Sequence, residues 1–449
     1  MSDDDYSRVV IAERFAQAPA WDPSGTSWLP LPFWVNGGVM MVFGRSIEVA
    51  RALAIVLATL SALLVMVAAR WLGASRAGAL LGALLSCALP YAARLGVATV
   101  PDGAVAALIL LGSASLGSGA VRERAFGALA LGAAAASRYE AWPVLAVFSA
   151  VTAWDAIGAR SGRLAAVAIA PMGVALAWTL HGLVTHGDAF FFVGRVTAYK
   201  NALGVPVLPL WQRLVAYPLG LIRFEPELSV LFAVSCWVTW RARQKEALTS
   251  YRRLGIALTA LLAFLIVGEM RGGAPTHHAE RTLLSVWLAG CVFAGDSLSR
   301  GALAWVASQR SRKGPLAGVA GLFAALLAVT LLVRPAISRI EPAASREHEV
   351  DIGSAARRLL APTDTLLVDT PDYGFYAVIA AFGRPENARP IDDHDPRHPR
   401  VPDPFQSPED LGRKLADWLV TPRDHIAAIT EFGQVRAQNP RFVLLRLRP

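Results

Sequence analysis

Long apolar stretches separated by short polar ones dominate the first three quarters of the chain. A helix needs about 20 apolar residues to cross a hydrocarbon core of about 30 Å. Ten stretches qualify as candidates: 47–69, 77–93, 103–119, 125–137, 142–155, 164–184, 227–240, 254–268, 282–298 and 316–333. Several are short, which predicts spans that extend into their flanks or are broken. From about residue 335 the pattern changes to short elements. Residues 350–362, 373–382, 408–419 and 425–432 have helical patterns, while 365–369 and 442–445 suit buried strands. This alternation predicts a small α/β domain outside the membrane. No Gly-rich phosphate loop lies in it. Residues 386–408, with Asp392, Asp393, His394 and Asp395, read as a solvated loop that lacks calcium-loop spacing.

Composition supports the membrane reading. Of 449 residues, 54% are hydrophobic and 17% charged, and mean hydropathy is +0.43. A soluble domain carries about 25% charged residues, so a water-soluble enzyme of this size is excluded. A disordered chain is excluded by the Leu, Ala and Val content. Cys87, Cys236 and Cys291 all lie in apolar runs and read as small buried hydrophobes rather than a disulfide framework.

Charge gives the spans a direction. The first 333 residues carry 27 Lys and Arg against 17 Asp and Glu; the remainder carries 16 against 17. The basic excess falls in alternate short loops: Arg70 and Arg76; Arg122 and Arg124; Arg160 and Arg163; Arg241 to Arg253; Arg300 to Lys313. The positive-inside tendency places these loops in the cytoplasm. The other loops, 94–102, 138–141, 185–226 and 269–281, then face outward together with the C-terminal region. Aromatic residues are not interleaved with this charge, so nucleic acid is not an expected partner. Ten crossings also put the acidic N-terminal segment outside, and an upstream first span is the expected device for exporting it.

Several polar clusters fall on the outward side. Asp3, Asp4 and Asp5 precede an aromatic and proline-rich stretch. Adjacent carboxylates divide labour: one accepts a proton while the other holds a cation or orients the first. The turn Ser137, Arg138, Tyr139, Glu140 joins two short spans. Thirteen helical residues reach only about 20 Å, so this turn is expected at membrane depth, where charged groups are tolerated only inside protein or in a wet cavity. Arg138, Lys200 and Arg281 are candidate phosphate ligands. The aromatic loop 185–226, with Phe190, Phe191 and Phe192, suits the membrane interface.

The order of these features resembles the GT-C class of polytopic glycosyltransferases, which includes the protein O-mannosyltransferases and the lipid A aminoarabinose transferases. In that class an acidic pair follows the first span, matched here by Asp4 and Asp5. A proline-rich stretch and a Phe-Gly with a later Arg follow, matched by Leu29 to Pro32, Phe43, Gly44 and Arg51. The usual His of that stretch is absent. Pro101, Asp102 and Gly103 resemble the second outside loop of the class. Arg138, Tyr139 and Glu140 resemble its Thr-Arg-Tyr-Glu, and His277 to Arg281 its His-Lys-Glu-Glu-Arg, with Ala279 departing from it.

The resemblance implies an α-helical polytopic membrane protein of about ten spans with a C-terminal α/β extracytoplasmic domain. Its segments are a first outside loop at 1–46, a transmembrane domain at 47–333 and the outside domain at 334–449. It implies transfer of a sugar from a polyprenyl-phosphate donor to an acceptor hydroxyl on a lipid, glycan or protein. The catalytic pair is Asp4 and Asp5. The substrate-binding residues are Asp102, Arg138, Tyr139, Glu140, Lys200, His278, Glu280 and Arg281. Where a divalent cation is used, Mg²⁺ or Mn²⁺ at Asp5 is expected. The place of action is the outer face of the cell membrane. The rival reading is a transporter or lipid flippase, whose buried charges carry no chemistry.

Overall fold

The computed structural model describes residues 3–96, 98–204, 208–241, 245–271, 279–308, 325–337, 345–398, 416–425 and 433–447. The chain opens with α1 (Asp3–Gln17) and α2 (Leu31–Phe43). The apolar stretches then fold as α3 (Ile47–Trp71), α4 (Arg76–Ala88), α5 (Pro90–Gly96), α6 (Asp102–Ser115), α7 (Val121–Ala135), α8 (Ala141–Ala159), α9 (Gly162–Ile169) and α10 (Met172–His186). After α11 (Phe191–Ala202) and α12 (Leu210–Phe224) come α13 (Pro226–Arg241), α14 (Lys245–Met270), α15 (Ala279–Ser308) and α16 (Ala325–Ala336). Two expected spans are broken. The first gives α4 and α5, parted at Leu89 and Pro90. The second gives α9 and α10, parted at Ala170 and Pro171. In each case the break falls at a proline, which lacks the amide a continuous helix requires. Residues 316–324 of the last expected span lie outside the described residues.

Local chemistry sets the helix ends. Ser46 caps α3 by accepting from the Val49 amide, with Glu48 in the first turn and Arg70 in the last, the order the helix dipole favours. Ser75 caps α4 in the same way.

Five helical segments among the described residues are long and apolar enough to cross a bilayer. They differ in what surrounds them. In the Glu280–Arg300 stretch of α15, 78% of the apolar window is buried in protein, against 17% in α3. α15 is therefore the central helix of the bundle, and α3 shows most of its surface to lipid. α4 packs on α15 through small residues. A Cβ built on Gly295 would stand 2.4 Å from the Gly82 nitrogen, so only glycine permits this approach. Cys291 is buried here, as expected. Cys87 and Cys236 are instead exposed on the outside of the bundle, because an apolar run facing lipid buries only one side.

The basic loops gather at one end. Arg124 and Arg253 share the Asp155 carboxylate at 2.6 Å each, and Arg300 donates to the Gly73 carbonyl. At the opposite end sits the C-terminal domain. It comprises α17 (Glu347–Leu359), β1 (Leu366–Val368), α18 (Phe375–Phe382), β2 (Ala388–Pro390), β3 (Trp418–Pro422), β4 (Gly433–Gln438) and β5 (Phe442–Leu447). The strand order is β2-β1-β3-β5-β4. β1 runs parallel to β2 and β3; β5 is antiparallel to both β3 and β4.

Two sequence expectations change here. Trp418 and Leu419, placed at the end of a helix, lie in β3, where apolar Trp-Leu-Val buries into the sheet; residues 408–415 lie outside the described residues. β4 was not expected. It is a polar edge strand with a register shift at Val435 to Ala437, so its pattern carries little apolar signal. Residues 426–432 of the other expected helix lie outside the described residues.

The N-terminal segment is no loose tail. Tyr6, Val9, Val10 and Ala12 of α1 are buried with Met40, Ile47 and Ala50 beneath α1 and with Val378, Ala381 and Phe382 of α18. Burial of each large side chain contributes about 1.5–3 kcal/mol, and so α1 and α2 share one core with the C-terminal domain. Within that core Glu13 is 0% exposed, and neither carboxylate oxygen has a hydrogen-bond partner. Burial lifts its pKa well above the usual carboxylate range, with Arg45 and Arg357 opposing the shift. A raised folded pKa stabilises the fold below the unfolded value and ceases to do so as pH rises through the folded value. Glu13→Gln should therefore gain thermal stability over the parent as pH is raised from about 5 to about 8. Parallel melting curves of the two proteins check this, and a constant difference would show that Glu13 does not titrate.

Candidate active site

The site begins with geometry inside α1. Asp3, Asp4 and Asp5 occupy its first turn, where carboxylates suit the positive end of the helix. Successive helical side chains diverge by about 100°, so the three cannot act as one pair. Asp3 accepts from Arg346 through both oxygens, at 2.9 and 3.0 Å. Arg346 also reaches Glu349 and Asp372, which binds α1 to the C-terminal domain. Asp5 is 2% exposed and accepts from the Thr99 amide at 2.8 Å. Asp4 faces the third direction. It accepts from Arg281 of α15 at 2.8 Å and is 44% exposed at its side chain. Asp3 is also partly exposed, but both its oxygens are taken by Arg346; Asp4 is the more open of the two and meets a cation of the bundle.

A second ion-paired group stands beside it. Arg138 donates to Asp102 at the head of α6 and to Glu140 at the head of α8. Burial pushes Arg138 down, yet the Asp102 and Glu140 charges outweigh it and hold the guanidinium above its usual range. The charged turn is thus enclosed in protein, with Asp102 and Glu140 both buried. Oδ2 of Asp102 is buried with no hydrogen-bond partner. Arg281 lies in the fields of Asp102, Asp4 and Arg138 together, so residues far apart in sequence form one cluster. Arg8 joins it. Four residues after Asp4, it shares that face of α1 and senses Asp4, Asp102, Arg138 and Arg281. Its guanidinium lies 4.5 Å over the Trp28 ring, and its Nε has no partner. Sequence reasoning gives Arg8 no role; its four-residue spacing from Asp4 is the signal that could have found it.

Other expected residues are placed differently. The Glu280 carboxylate accepts from the Tyr91 hydroxyl at 2.8 Å, a partner absent from the sequence reading. Lys200 of α11 pairs with Glu269 of α14 at 3.3 Å. Tyr139 is committed to the scaffold: its hydroxyl donates to the Ser27 carbonyl, accepts from Trp178, and its ring stacks on Phe192 at 4.0 Å. Phe191 and Phe192 belong to that small core, leaving Phe190 exposed. His277 and His278 lie outside the described residues. Beside Thr99, Pro101 and Ser137 an apolar cleft of about 130 Å³ opens between α2, α3 and α6.

Asp5, the expected cation ligand, is occupied by Thr99. Among the described residues the group suited to a metal is Asp22, His181 and His186, whose ligand atoms lie within 4.8 Å of one another. Oδ1 of Asp22 is held by the Ser24 and Gly25 amides; Oδ2 lies 3.6 Å from His181 Nε2, a buried nitrogen without a hydrogen-bond partner. Carboxylate and imidazole donors suit Zn²⁺ and related divalent ions.

No family model matches the chain, and no curated protein matches it in sequence. Solved structures do match in fold. The chain is similar to ArnT from Cupriavidus metallidurans bound to undecaprenyl phosphate, at 17% identity and TM-score 0.62, over 98% of this chain and 93% of that one. The apo form of that protein matches at 16% identity and TM-score 0.57, over 98% and 92%. The archaeal oligosaccharyltransferase AglB from Archaeoglobus fulgidus, in complex with an inhibitory peptide and a dolichol-phosphate, matches at 12% identity and TM-score 0.51, over 98% of this chain and 69% of that one. The chain has the polytopic membrane fold of these GT-C glycosyltransferases.

The different anchoring of the acidic residues gives a direct test. Asp5→Ala leaves the buried Thr99 amide unpaired and should cost about 1–3 kcal/mol of stability. Asp4→Asn, at an accessible position, should change stability by less than about 1 kcal/mol. Thermal or denaturant unfolding of the two purified variants compares them; equal losses would contradict the division of roles.

Proposed function

We propose that the protein is an integral membrane glycosyltransferase that moves a sugar from a polyprenyl-phosphate donor to an acceptor hydroxyl, with Asp4 as general base. The observation that carries this reading is the cluster itself. An accessible carboxylate sits 2.8 Å from a guanidinium, with Arg8 and Arg138 in the same field, beside an apolar cleft. Carboxylate, cations and apolar cleft match the three parts of such a reaction: a proton to remove, a phosphate to bind and a lipid tail to hold. The fold likeness to a protein bound to undecaprenyl phosphate supports the donor class.

Each group has a definite task. Arg281 and Arg8 bind the donor phosphate, since guanidinium forks match phosphate oxygens. Binding draws Arg281 away from Asp4 and leaves that carboxylate to face the acceptor. Asp4 takes the proton of the acceptor hydroxyl. The hydroxyl oxygen forms its bond to the anomeric carbon as the bond from that carbon to the phosphate oxygen breaks. The electron pair leaves with the polyprenyl phosphate, whose charge the arginines offset. A single displacement inverts the anomeric centre. Asp102 orients Arg138 through one oxygen and offers the other, unpartnered, to a sugar hydroxyl. Lys200, Tyr139, Glu140 and Glu280 act as scaffold around the site, and His278 as a neighbour of Arg281 in sequence.

A divalent ion, where present, is held by Asp22, His181 and His186 rather than by Asp5. There it ties the first outside loop to α10 behind Tyr139. The site lies opposite the basic loops, and the positive-inside tendency supports a reaction and a C-terminal domain on the outer face of the cell membrane.

In proteoliposomes supplied with a polyprenyl-phosphate sugar and a hydroxyl acceptor, Asp4→Asn should lower turnover by about 10²–10⁴-fold. Arg281→Gln should lose comparable activity while raising the apparent KM for donor. Undiminished turnover in Asp4→Asn sinks the proposed base. For the cation, His181→Ala with His186→Ala should abolish the one bound equivalent of Zn²⁺ measured by metal analysis; retention of the ion in that variant places it elsewhere.

A further inference from the structure

Three arginines from three elements meet at the junction of the bundle and the C-terminal domain. Arg45 lies in the turn between α2 and α3, Arg357 on α17, and Arg384 just after α18. With Leu360, Pro362 and Gly383 they line a cavity of about 380 Å³. The walls are brought together by Gly383. Its φ is +73°, and a Cβ there would lie 3.1 Å from the Arg45 carbonyl, so glycine alone allows both the helix end and the close approach.

The lining residues supply three cations and no carboxylate; the carboxylates that face them stand at the edge of the cavity. Arg45 donates to both oxygens of Glu386 at 2.8 Å. Arg384 is held by the Ala361 and Leu360 carbonyls and lies 4.4 Å over the Phe382 ring, which fixes its position without cancelling its charge. Arg357 makes no hydrogen bond or ion pair with a described residue. Two further carboxylates face this region from its edges: Asp364 toward Arg384, and Glu48 toward Arg357. Glu13 lies behind it, buried. Arg384 feels the Asp364 and Glu386 carboxylates first and the repulsion of Arg357 and Arg45 second, so the edge carboxylates allow the three cations to stand together.

The position names the source of the missing anion. Arg45 is two residues from the start of α3, the helix most open to lipid. Just before it, Met41, Val42 and Phe43 are 48%, 76% and 73% exposed. An apolar helix tip left bare beside a span belongs in the outer boundary of the hydrocarbon, with cationic side chains at head-group level above it. Guanidinium forks are the natural partners of a phosphate there. We propose that the cavity of Arg45, Arg357 and Arg384 binds the phosphate of an anionic membrane lipid. This site is separate from the cluster around Asp4 and does not depend on sugar transfer, so either reading can fail without the other.

The test uses the full-length protein in nanodiscs of phosphatidylcholine with or without phosphatidylglycerol, read by native mass spectrometry of retained lipid and by melting temperature. Phosphatidylglycerol should be retained and should raise the melting temperature. Arg357→Gln should weaken retention roughly tenfold, and Arg357→Lys should restore most of it. Glu386→Gln, which releases Arg45, should strengthen retention, a gain that misfolding cannot produce. Equal retention by the parent and Arg357→Gln overturns the proposal. So does a parent protein in detergent stabilised as strongly by millimolar inorganic phosphate as by the lipid, because the site would then read a free anion.

Discussion

Everything at the end that meets the C-terminal domain depends on the first turn of α1. Helix geometry sends Asp3, Asp4 and Asp5 in three directions, and each meets a different part of the molecule. Asp3 holds Arg346 of the C-terminal domain, Asp5 holds the amide of Thr99 before α6, and Asp4 meets Arg281 of the central helix. A single helical turn thus positions the C-terminal domain, the segment before α6 and the cationic cluster relative to one another. Two of the three carboxylates serve as anchors, and their anchoring is what aims the third.

The buried charges around this turn show the same economy. Arg138 is paired with Asp102 and Glu140, because an unpaired buried guanidinium would be very costly. Pairing also fixes the guanidinium in space, so an ion pair required for stability becomes part of a preorganised site. Tyr139 and Phe192 do the corresponding work with apolar surface, stacking between the turn and α11 while the Tyr139 hydroxyl holds the first outside loop at Ser27.

The outward end also has two kinds of surface toward the bilayer. Beside Thr99 and Ser137 is an apolar cleft next to the charged cluster. On the other side of α2, the bare tip Met41 to Phe43 lies near the arginines of the domain junction. α2 separates the two, with one face in the shared core and the other open.

The sequence by itself determined the apolar spans, their alternation with basic loops and the β1, α18 and β5 elements, because burial in lipid or in a sheet core demands apolar runs of a given length. It also determined that Asp4, Asp102, Arg138 and Arg281 share one side, since loop charge alone sets that alternation. It left β4 unread, because an edge strand has one polar face, and set Trp418 in a helix, because strand pairing with Phe442 to Leu447 is not local. Only the tertiary structure decided which of three neighbouring carboxylates stays accessible. It alone brought Arg8 and Tyr91 to the charged cluster, set Asp5 against Thr99, and gathered Asp22, His181 and His186. Those outcomes rest on contacts between residues scores or hundreds of positions apart, and no local pattern records which partner a side chain will meet.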